Sequence, residues 1–524
     1  MKVSRLLPLA AILVVLPAVF KAPALDEESY LWLGAHLDPA HPYSWVRSWP
    51  PYDTDGFVYA HPPVHLWWMW LIHGLPVPLQ RLVSGGVWGG LFGWGVGALA
   101  EGASRRPALA GALWLSSSIV ALGLQDSLMV DLPATALVTA GLALYRRSVT
   151  SESRRDQVLA GLVLGLATAT KYPMALALPV IAAHAWRRGS SFLPLAVAGA
   201  VFLADEGLLF ALYTREHLWE VWTRRDEIAH GPIGPRGLGV LARAALLPMP
   251  FLLFRTDPLT SVAGVVLAGL ALAMVRPPSL SPADVTVLLL FCVAGALVLT
   301  RALRTLPLRP KRRRKDDQDD GFLLGGIVVA WFVGVTLFHN YASARYLLPA
   351  AGPAAILLTR SAEEVRGGKA LARLTVGISA LLAAAVTIAD YRYARAGWSL
   401  GQSVAELGTA GRFAGEWGFR GALEAAGWVR LAPDDTAPDP GTWVAVVDNA
   451  SPGAVDTTGW EPIRRIESPD RFPLRVNDIA RNASLYAETL GTLPLGWSEG
   501  HLEGVTLYRV SVPVGRVDGA PPAE

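Results

Sequence analysis

Long apolar runs alternate with short polar connections over residues 1–390 of the chain. Runs able to cross about 30 Å of hydrocarbon predict about thirteen transmembrane helices. The predicted spans are 3–20, 82–100, 107–124, 132–145, 158–170, 173–186, 192–213, 238–254, 259–275, 285–300, 322–338, 347–358 and 374–389. We therefore predict a mainly α fold, a polytopic transmembrane helical bundle.

The apolar run 64–75 does not fit a membrane span. It contains Trp67, Trp68 and Trp70 but is interrupted by His65 and His73. A run this short and this rich in Trp is typical of a helix that lies in the membrane interface. We therefore place it, with the segment before it, in a first extracytoplasmic loop over residues 22–80.

The basic residues predict the orientation of the bundle, because Lys and Arg accumulate in cytoplasmic connections. With Lys2 and Arg5 inside, the amino terminus is cytoplasmic and the loop at 22–80 is outside. The cytoplasmic connections then hold Arg105–Arg106, Arg146–Arg147, Arg154–Arg155, Arg187–Arg188, Arg255, the basic run 309–315 and residues 366–373. A cleaved signal peptide ending near Ala22-Pro-Ala24 is the competing interpretation of the first run.

The predicted span 82–100 is rich in glycine. Gly85, Gly89, Gly93 and Gly97 repeat every four positions. A face of such small residues allows close helix packing in a membrane.

The region from residue 391 onward has a different pattern. Its apolar runs, such as 442–448 and 505–512, have the length and β-branched content of strands, and turn-forming residues fill segments such as 432–441. We predict a mixed α/β domain over residues 391–524. The odd number of preceding spans places it outside the cytoplasm.

Composition narrows the class of protein. Hydrophobic residues make up 52% of the chain and charged residues 17%, which leaves too little polar surface for a soluble globule of this length. The net charge of +3, with basic residues in short clusters, favours membrane lipids rather than nucleic acid as a partner. Cys292 is the single cysteine, which excludes an intrachain disulfide and a cysteine-based metal site.

Ionisable and aromatic residues collect at the predicted outer ends of the spans. They are Asp26, Glu27, Asp131, Lys171, His339, Asn340, Arg345 and Tyr346. Each has a structural explanation: Asp131 can cap a helix, Lys171 and Arg345 can snorkel to headgroups, and Asp26 can solvate a helix end. Their convergence on one side of the membrane favours a functional site.

Several short motifs carry a resemblance to a known family. They are Asp26-Glu27 with Tyr30, an aromatic loop ending in His61-Pro-Pro63, Asp131-Leu-Pro133, Lys171-Tyr-Pro173 and Arg345-Tyr-Leu-Leu-Pro349. This set resembles the GT-C membrane glycosyltransferases, in the branch of protein O-mannosyltransferases and lipid A aminoarabinose transferases, and covers residues 1–390. It implies a polyprenyl-phosphate-linked sugar donor and transfer outside the cytoplasm to a protein, lipid or glycan of the cell envelope. Many relatives carry Lys where this chain has His61, which is largely neutral near pH 7.

The residue types fit this chemistry. Glycosyl transfer needs a base for the acceptor hydroxyl or amine, which we assign to Asp26, and Glu27 could orient the acceptor or sugar. Lys171 and Arg345 are expected to bind the donor phosphate, with Tyr30, His61 and Tyr346 as further donor contacts. Trp32, Trp45 and Trp49 could stack on the sugar or the polyprenyl chain, or anchor the loop in the interface.

Other interpretations stay open at this stage. A divalent cation could bridge Asp26, Glu27 and Asp131 to the phosphate, and Asp126 is an alternative to Asp131. A transporter or lipid flippase would also place charges among many spans, although such proteins often contain internal repeats that are absent from this sequence. A membrane scaffold with an outer sensory domain would leave the adjacent carboxylates unexplained.

Overall fold

The structure is a computed structural model that describes residues 2–43, 61–223, 232–247, 258–275, 280–306, 318–431, 438–450 and 455–510. Its helices are α1 Val3–Val15, α2 Glu27–His36, α3 Val64–Ile72, α4 Val77–Ala103, α5 Pro107–Leu115, α6 Ser118–Gln125, α7 Asp131–Ser151, α8 Arg154–Thr168, α9 Ala177–Arg188, α10 Leu193–Tyr213, α11 His217–Thr223, α12 Ile233–Ala244, α13 Pro258–Val275, α14 Pro282–Leu303, α15 Gln318–Phe338, α16 Leu348–Glu363, α17 Gly368–Ala405 and α18 Trp417–Ala425. Trp45, Trp49, Arg255, the basic run 309–315 and the turn segment 432–437 lie outside the described residues.

The multi-pass membrane character of the chain is confirmed. Within the described residues, six helices are long and apolar enough to cross a membrane: Val3–Phe20, Val77–Ala103, Leu193–Tyr213, Pro282–Leu303, Asp320–Phe338 and Gly368–Ala405. A bent pair, α5 with α6, would be a seventh span. The other predicted spans that fall on described residues form shorter or less apolar helices, so the number thirteen stays a prediction.

The predicted span 107–124 is two helices rather than one. The axes of α5 and α6 differ by 65°. The break falls at Ser116 and Ser117, whose hydroxyls donate to the carbonyls of Leu113 and Leu246, both at 3.0 Å. Serine hydroxyls that bond to the backbone compete with a continuous helix. The bend leaves Asp126, at the end of α6, inside the protein rather than at its surface.

The glycine face of α4 confirms the close packing that its spacing predicted. A Cβ on Gly93 would lie 2.8 Å from the carbonyl of Leu7, and one on Gly97 would lie 2.6 Å from the Cα of Ser4. Both positions face the backbone of α1, which has no room to move aside. Glycine at these positions therefore allows α1 to pack closely against α4.

The last helix of the bundle, α17, has 38 residues. It passes the predicted domain boundary at residue 390 and continues to Ala405, where α18 packs against it. The boundary at 390/391 therefore falls within a helix, and the domain division stays a prediction.

The carboxy-terminal region is built on a small mixed sheet, as the sequence predicted. Its strands are β1 Arg412–Ala414, β2 Val429–Arg430, β3 Trp443–Val447, β4 Trp460–Asp470, β5 Leu474–Arg475, β6 Asn477–Asp478, β7 Ala483–Ser484, β8 Gly496–Trp497 and β9 Gly500–Val510. The main sheet has the order β2-β1-β3-β9-β4, in which β1 pairs parallel with β2 and β3, and β9 pairs antiparallel with β3 and β4. Phe413, Phe419 and Val505 lie in its core.

A segment of this region packs on the membrane bundle. The Ala344 amide donates to the Leu485 carbonyl at 3.2 Å, and the Ala342 amide donates to the Glu488 carboxylate. The buried Arg243 donates to the Ser484 carbonyl at 2.5 Å. The carboxy-terminal region therefore supports the loop that carries Arg345.

Candidate active site

Asp26 lies at the amino-terminal end of α2, but it does not cap that helix. Its side chain makes no capping hydrogen bond. Instead, an Asp26 carboxylate oxygen lies 3.1 Å from Nη2 of Arg345. About a third of the Asp26 side chain is exposed. The structure therefore leaves this carboxylate accessible and places it beside a cation.

Asp131 and Lys171 are brought together from two helix ends. Asp131 is the first residue of α7, with Leu132 and Pro133 in the first turn. Lys171 is extended between α8 and a 3₁₀ helix, Tyr172–Leu176, because Pro173 disfavours continuation of α8. The Lys171 Nζ donates to Oδ1 of Asp131 at 2.5 Å.

Arg345 stands between the two carboxylates. It lies in a 3₁₀ helix, Ala344–Leu347, that precedes α16. Its Nη2 pairs with Asp26, and its Nε lies 3.7 Å from an oxygen of Asp131, too far for a hydrogen bond. Within the described residues, this buried Nε has no hydrogen-bond partner. The Arg345 guanidinium is therefore held by its ion pairs, and its Nε–H remains available as a hydrogen-bond donor.

Aromatic rings form one wall of this cluster. The Lys171 Nζ lies 4.7 Å and the Arg345 Cζ 5.3 Å from the ring centroid of Tyr346, within cation–π range. His339 stacks on the same ring at 4.2 Å. Tyr346 therefore helps to fix both cations.

His61 lies close enough to Lys171, Asp131 and Arg345 for their charges to act on it. Burial lowers the pKa of His61 well below its ordinary value, and the nearby Lys171 lowers it further. The Tyr43 hydroxyl donates to the His61 carbonyl at 2.7 Å. His61 is therefore neutral near pH 7 and can contribute a hydrogen bond but not a positive charge.

We call Asp26, Asp131, Lys171 and Arg345 the open cluster. Their side chains are 32%, 8%, 5% and 19% exposed, respectively. Two carboxylates face two cations, so the formal charges balance. The sequence named all four residues, and the structure brings them together from three helix ends and the loop before α16.

Two predicted site residues lie elsewhere. Glu27 pairs with Arg81 at 2.7 Å, and both side chains are fully buried. Tyr30 is buried with its ring edge against His65, at 4.7 Å between centroids. Trp32 stacks on His36 at 4.3 Å. The roles of Glu27 and Tyr30 in the reaction stay predictions.

A second charged group, which we call the closed network, consists of Lys21, Asp126, Asp390, Glu27 and Arg81. Lys21 pairs with both Asp126 and Asp390, and the Tyr486 hydroxyl donates to Asp390 at 2.5 Å. Arg81 also donates to the carbonyls of Ala18 and Lys21. Sequence reasoning did not select Lys21, Arg81 or Asp390. Each is a charge at or near the end of an apolar run, and this was the only signal that could have identified them.

The carboxylates do not fit a divalent cation as they are arranged. Asp26 and Asp131 each face a cation of the open cluster, and Glu27 faces Arg81. In the part of the chain that the structure describes, no three His, Cys, Asp or Glu residues are grouped as metal ligands. We therefore derive no step through a metal ion.

Comparisons with known proteins give one family model and solved structures to which the chain is similar. Residues 60–204 match the model of the dolichyl-phosphate-mannose-protein mannosyltransferase family. No match was found among curated protein sequences. The chain is similar to the crystal structure of ArnT from Cupriavidus metallidurans bound to undecaprenyl phosphate, with 16% identity, a TM-score of 0.42, and coverage of 84% of this chain and 92% of that chain.

The apo structure of the same ArnT gives 16% identity, a TM-score of 0.40 and the same coverage. The matched segment 60–204 contains His61, Asp131 and Lys171, three of the residues that carried the resemblance. The predicted resemblance to the protein O-mannosyltransferase family is confirmed over residues 60–204.

Proposed function

We propose that the chain is a membrane glycosyltransferase that uses a polyprenyl-phosphate-linked sugar donor. The open cluster binds the phosphate of this donor, and transfer to the acceptor occurs beside it. The observation that carries this proposal is the geometry of Arg345. Its guanidinium lies between two carboxylates, yet its buried Nε donates no hydrogen bond to any described residue. A phosphate oxygen of the sugar donor would accept a hydrogen bond from this Nε.

Lys171 and Arg345 would share the phosphate. Both contact Asp131, at 2.5 Å and 3.7 Å, so their charged groups are close to each other across that carboxylate. Charge-assisted hydrogen bonds from Arg and Lys to phosphate are among the stronger ones in proteins. They gain strength as the bond from sugar to phosphate breaks, because negative charge then accumulates on the departing phosphate.

Asp26 would act as the general base. It accepts a proton from the acceptor hydroxyl or amine while the acceptor atom attacks the anomeric carbon. The new glycosidic bond forms as the bond to the phosphate oxygen breaks, and polyprenyl phosphate leaves. The partial exposure of Asp26 supports this role, since an acceptor has to reach its base.

Neutral His61 would contribute a hydrogen bond at the edge of this site. Because its pKa is lowered, His61 would contact the sugar donor as a neutral hydrogen-bond partner and not as a third cation. This assignment differs from relatives with Lys at the equivalent position.

The proposed orientation places the open cluster and the carboxy-terminal region outside the cytoplasm. A reporter fused after residue 524 is expected to be extracytoplasmic, and one inserted near Lys315 is expected to be cytoplasmic. Both reporters on one side would contradict the orientation.

The function is tested by transfer of radiolabelled sugar from polyprenyl-phosphate-linked donors, using purified protein in nanodiscs. Arg345→Ala is compared with Arg301→Ala, since Arg301 also pairs with a carboxylate, Glu364, at 3.2 Å but lies outside the cluster. We expect Arg345→Ala to weaken donor use by about tenfold or more, the loss of a charge-assisted hydrogen bond. Arg301→Ala should retain wild-type kinetics.

Equal donor use by Arg345→Ala and wild type would overturn the phosphate assignment. No transfer by wild type from any member of a panel of hexosyl and pentosyl donors, in the presence of lipid, peptide and glycan acceptors, would overturn the site as a whole.

A further inference from the structure

A separate cleft lies at the outer ends of two spanning helices. It has a volume of about 660 Å³, within the usual range of about 300–1,000 Å³ for sites that bind small molecules. Its walls come from the end of the first span, from α17 and from β4. None of the open-cluster residues lines it.

The level of the cleft follows from the helices that form it. Phe20, the last residue of the first span, is 79% exposed. The Tyr391 hydroxyl on α17 donates to the Phe20 carbonyl at 3.2 Å. This hydrogen bond ties the ends of both apolar segments together. The ends of apolar spans are expected at the boundary between acyl chains and headgroups.

One face of α17 changes character at this level. Leu374, Ile378, Leu381 and Ile388 are exposed apolar residues at helical spacing. Two further steps along the same face, of four and three residues, give Arg392 and Arg395, both exposed. An apolar face followed by cations is the pattern expected where a helix leaves the hydrocarbon and meets phosphate headgroups.

The two arginines have different surroundings. Arg392 is held by Asp470 of β4, with Nε 2.7 Å from Oδ2. Arg395, which also lines the cleft, forms no ion pair or hydrogen bond with any residue in the described part of the chain. Ser399 and Ser468 add hydroxyl groups to the same wall. The cleft therefore combines an apolar floor at Pro17, Phe20 and Ile388 with an available positive charge above it.

We propose that this cleft binds an anionic phospholipid of the outer leaflet. An acyl chain lies along Phe20 and Ile388, and the phosphate of the headgroup contacts Arg395 with Arg392 beside it. The complementary charge and the membrane level select a lipid over a soluble anion, because a soluble anion would leave the apolar floor exposed. The bound lipid would join the first span, α17 and the sheet at their common boundary.

The test uses purified protein in nanodiscs that contain phosphatidylcholine with a small fraction of phosphatidylglycerol. Native mass spectrometry measures how much of each lipid is retained. We expect wild type to retain phosphatidylglycerol preferentially, Arg395→Glu to lose this preference by about tenfold or more, and Arg395→Lys to keep it within about threefold.

Arg464→Glu is the matched control. Arg464 is an exposed arginine of β4, the strand that contributes Ser468 and Asp470 to the cleft, but it does not line the cleft. It should retain phosphatidylglycerol as wild type does. The melting temperature in neutral lipid is measured for each variant, so that loss of lipid is separated from loss of fold.

Two results would overturn the proposal. One is equal retention of phosphatidylglycerol by wild type and by a folded Arg395→Glu variant. The other is a loss as large in Arg464→Glu as in Arg395→Glu, which would indicate attraction by overall charge rather than by this cleft.

Discussion

The open cluster and the closed network contain the same residue types in different surroundings. Both pair Asp with Lys or Arg near the ends of spanning segments. In the closed network, Lys21, Asp390, Glu27 and Arg81 have no exposed side-chain surface, and Asp126 is 12% exposed. In the open cluster every side chain keeps some exposure, from 5% for Lys171 to 32% for Asp26. Arg345 and Arg81 each have an Nε without a hydrogen-bond partner among the described residues, so the unused donor does not separate the two groups.

This difference supports the proposal that the open cluster binds the sugar donor and that the closed network stabilises the fold. The closed network has its cations already bound by carboxylates and by backbone carbonyls, so a ligand phosphate would have to displace short, buried contacts. Removing one partner there would leave a buried charge without compensation, which is strongly destabilising. The open cluster can exchange a protein partner for a ligand at lower cost. A search for ionisable residues near membranes therefore needs burial as a second criterion.

The largest effect on rate is expected for Asp26→Asn. The amide keeps the shape of the side chain but cannot accept the proton, so transfer should fall by about 10²–10⁴-fold, the usual contribution of a general base. The measurement is turnover with labelled donor, alongside donor binding, which should persist. Activity within a few-fold of wild type would show that Asp26 only solvates a helix end. It would contradict the proposed catalytic role of the open cluster.

The largest effect on stability is expected for Asp390→Ala. It removes a fully buried partner of Lys21 and of the Tyr486 hydroxyl, and breaking a buried pair costs about 3–5 kcal/mol. Unfolding of the purified protein in detergent measures the loss. Asp156→Ala is the control, because Asp156 pairs with the half-exposed Arg147 and a surface pair is worth about 0–1 kcal/mol. Equal effects of the two variants would show that the closed network does not stabilise the fold.

Lys171→Ala should reduce donor use more than it reduces stability, the reverse of what is expected for Asp390→Ala. Loss of one charge-assisted hydrogen bond to phosphate, worth about 1.5–3 kcal/mol, should raise the donor KM by about tenfold or more. The thermal stability should change less than in Asp390→Ala, because Asp131 keeps Arg345 as a second cation, 3.7 Å away, when Lys171 is removed. A variant with wild-type KM but a large loss of stability would place Lys171 with the closed network.

The smallest effect concerns pH. Burial lowers the pKa of His65 to about 4 and of His339 to about 3, and lowers the pKa of His61 as well. Above about pH 6.5, the ordinary value, these residues are neutral in both folded and unfolded chains. Below about pH 6.5 the unfolded chain takes up more protons than the folded chain, so the melting temperature should fall as the pH is lowered. His61→Gln should make this fall shallower, and an unchanged slope would contradict the buried, neutral His61.

Local sequence patterns predicted much of the fold for a physical reason. Apolar runs, prolines and glycines act within one or two helical turns, so α1, α10, α14 and α15 follow the predicted spans closely. The break at Ser116 and Ser117 was missed because it depends on the Leu246 carbonyl, 129 residues away from Ser117. The length of α17 was also missed, because its polar continuation is stabilised by packing against α18.

The adjacent carboxylates Asp26 and Glu27 show the same limit at the site. Asp26 is the residue before α2 and Glu27 is the first residue of that helix, so the two side chains leave the backbone in different directions. The structure directs Asp26 to Arg345 and Glu27 to Arg81. Their proximity in sequence favoured a shared role, whereas the helix geometry separates them.

The sequence by itself determined the multi-pass membrane character and the small sheet region, and its motifs predicted a membrane glycosyltransferase, because hydropathy, motif residues and strand patterns are local properties. Only the tertiary structure decided which charges meet. Lys171 joins Asp131 across 40 residues, and Lys21 joins Asp390 across 369. Such pairings depend on how helix ends come together, and burial at those ends separates the charges that can bind a ligand from those that hold the fold.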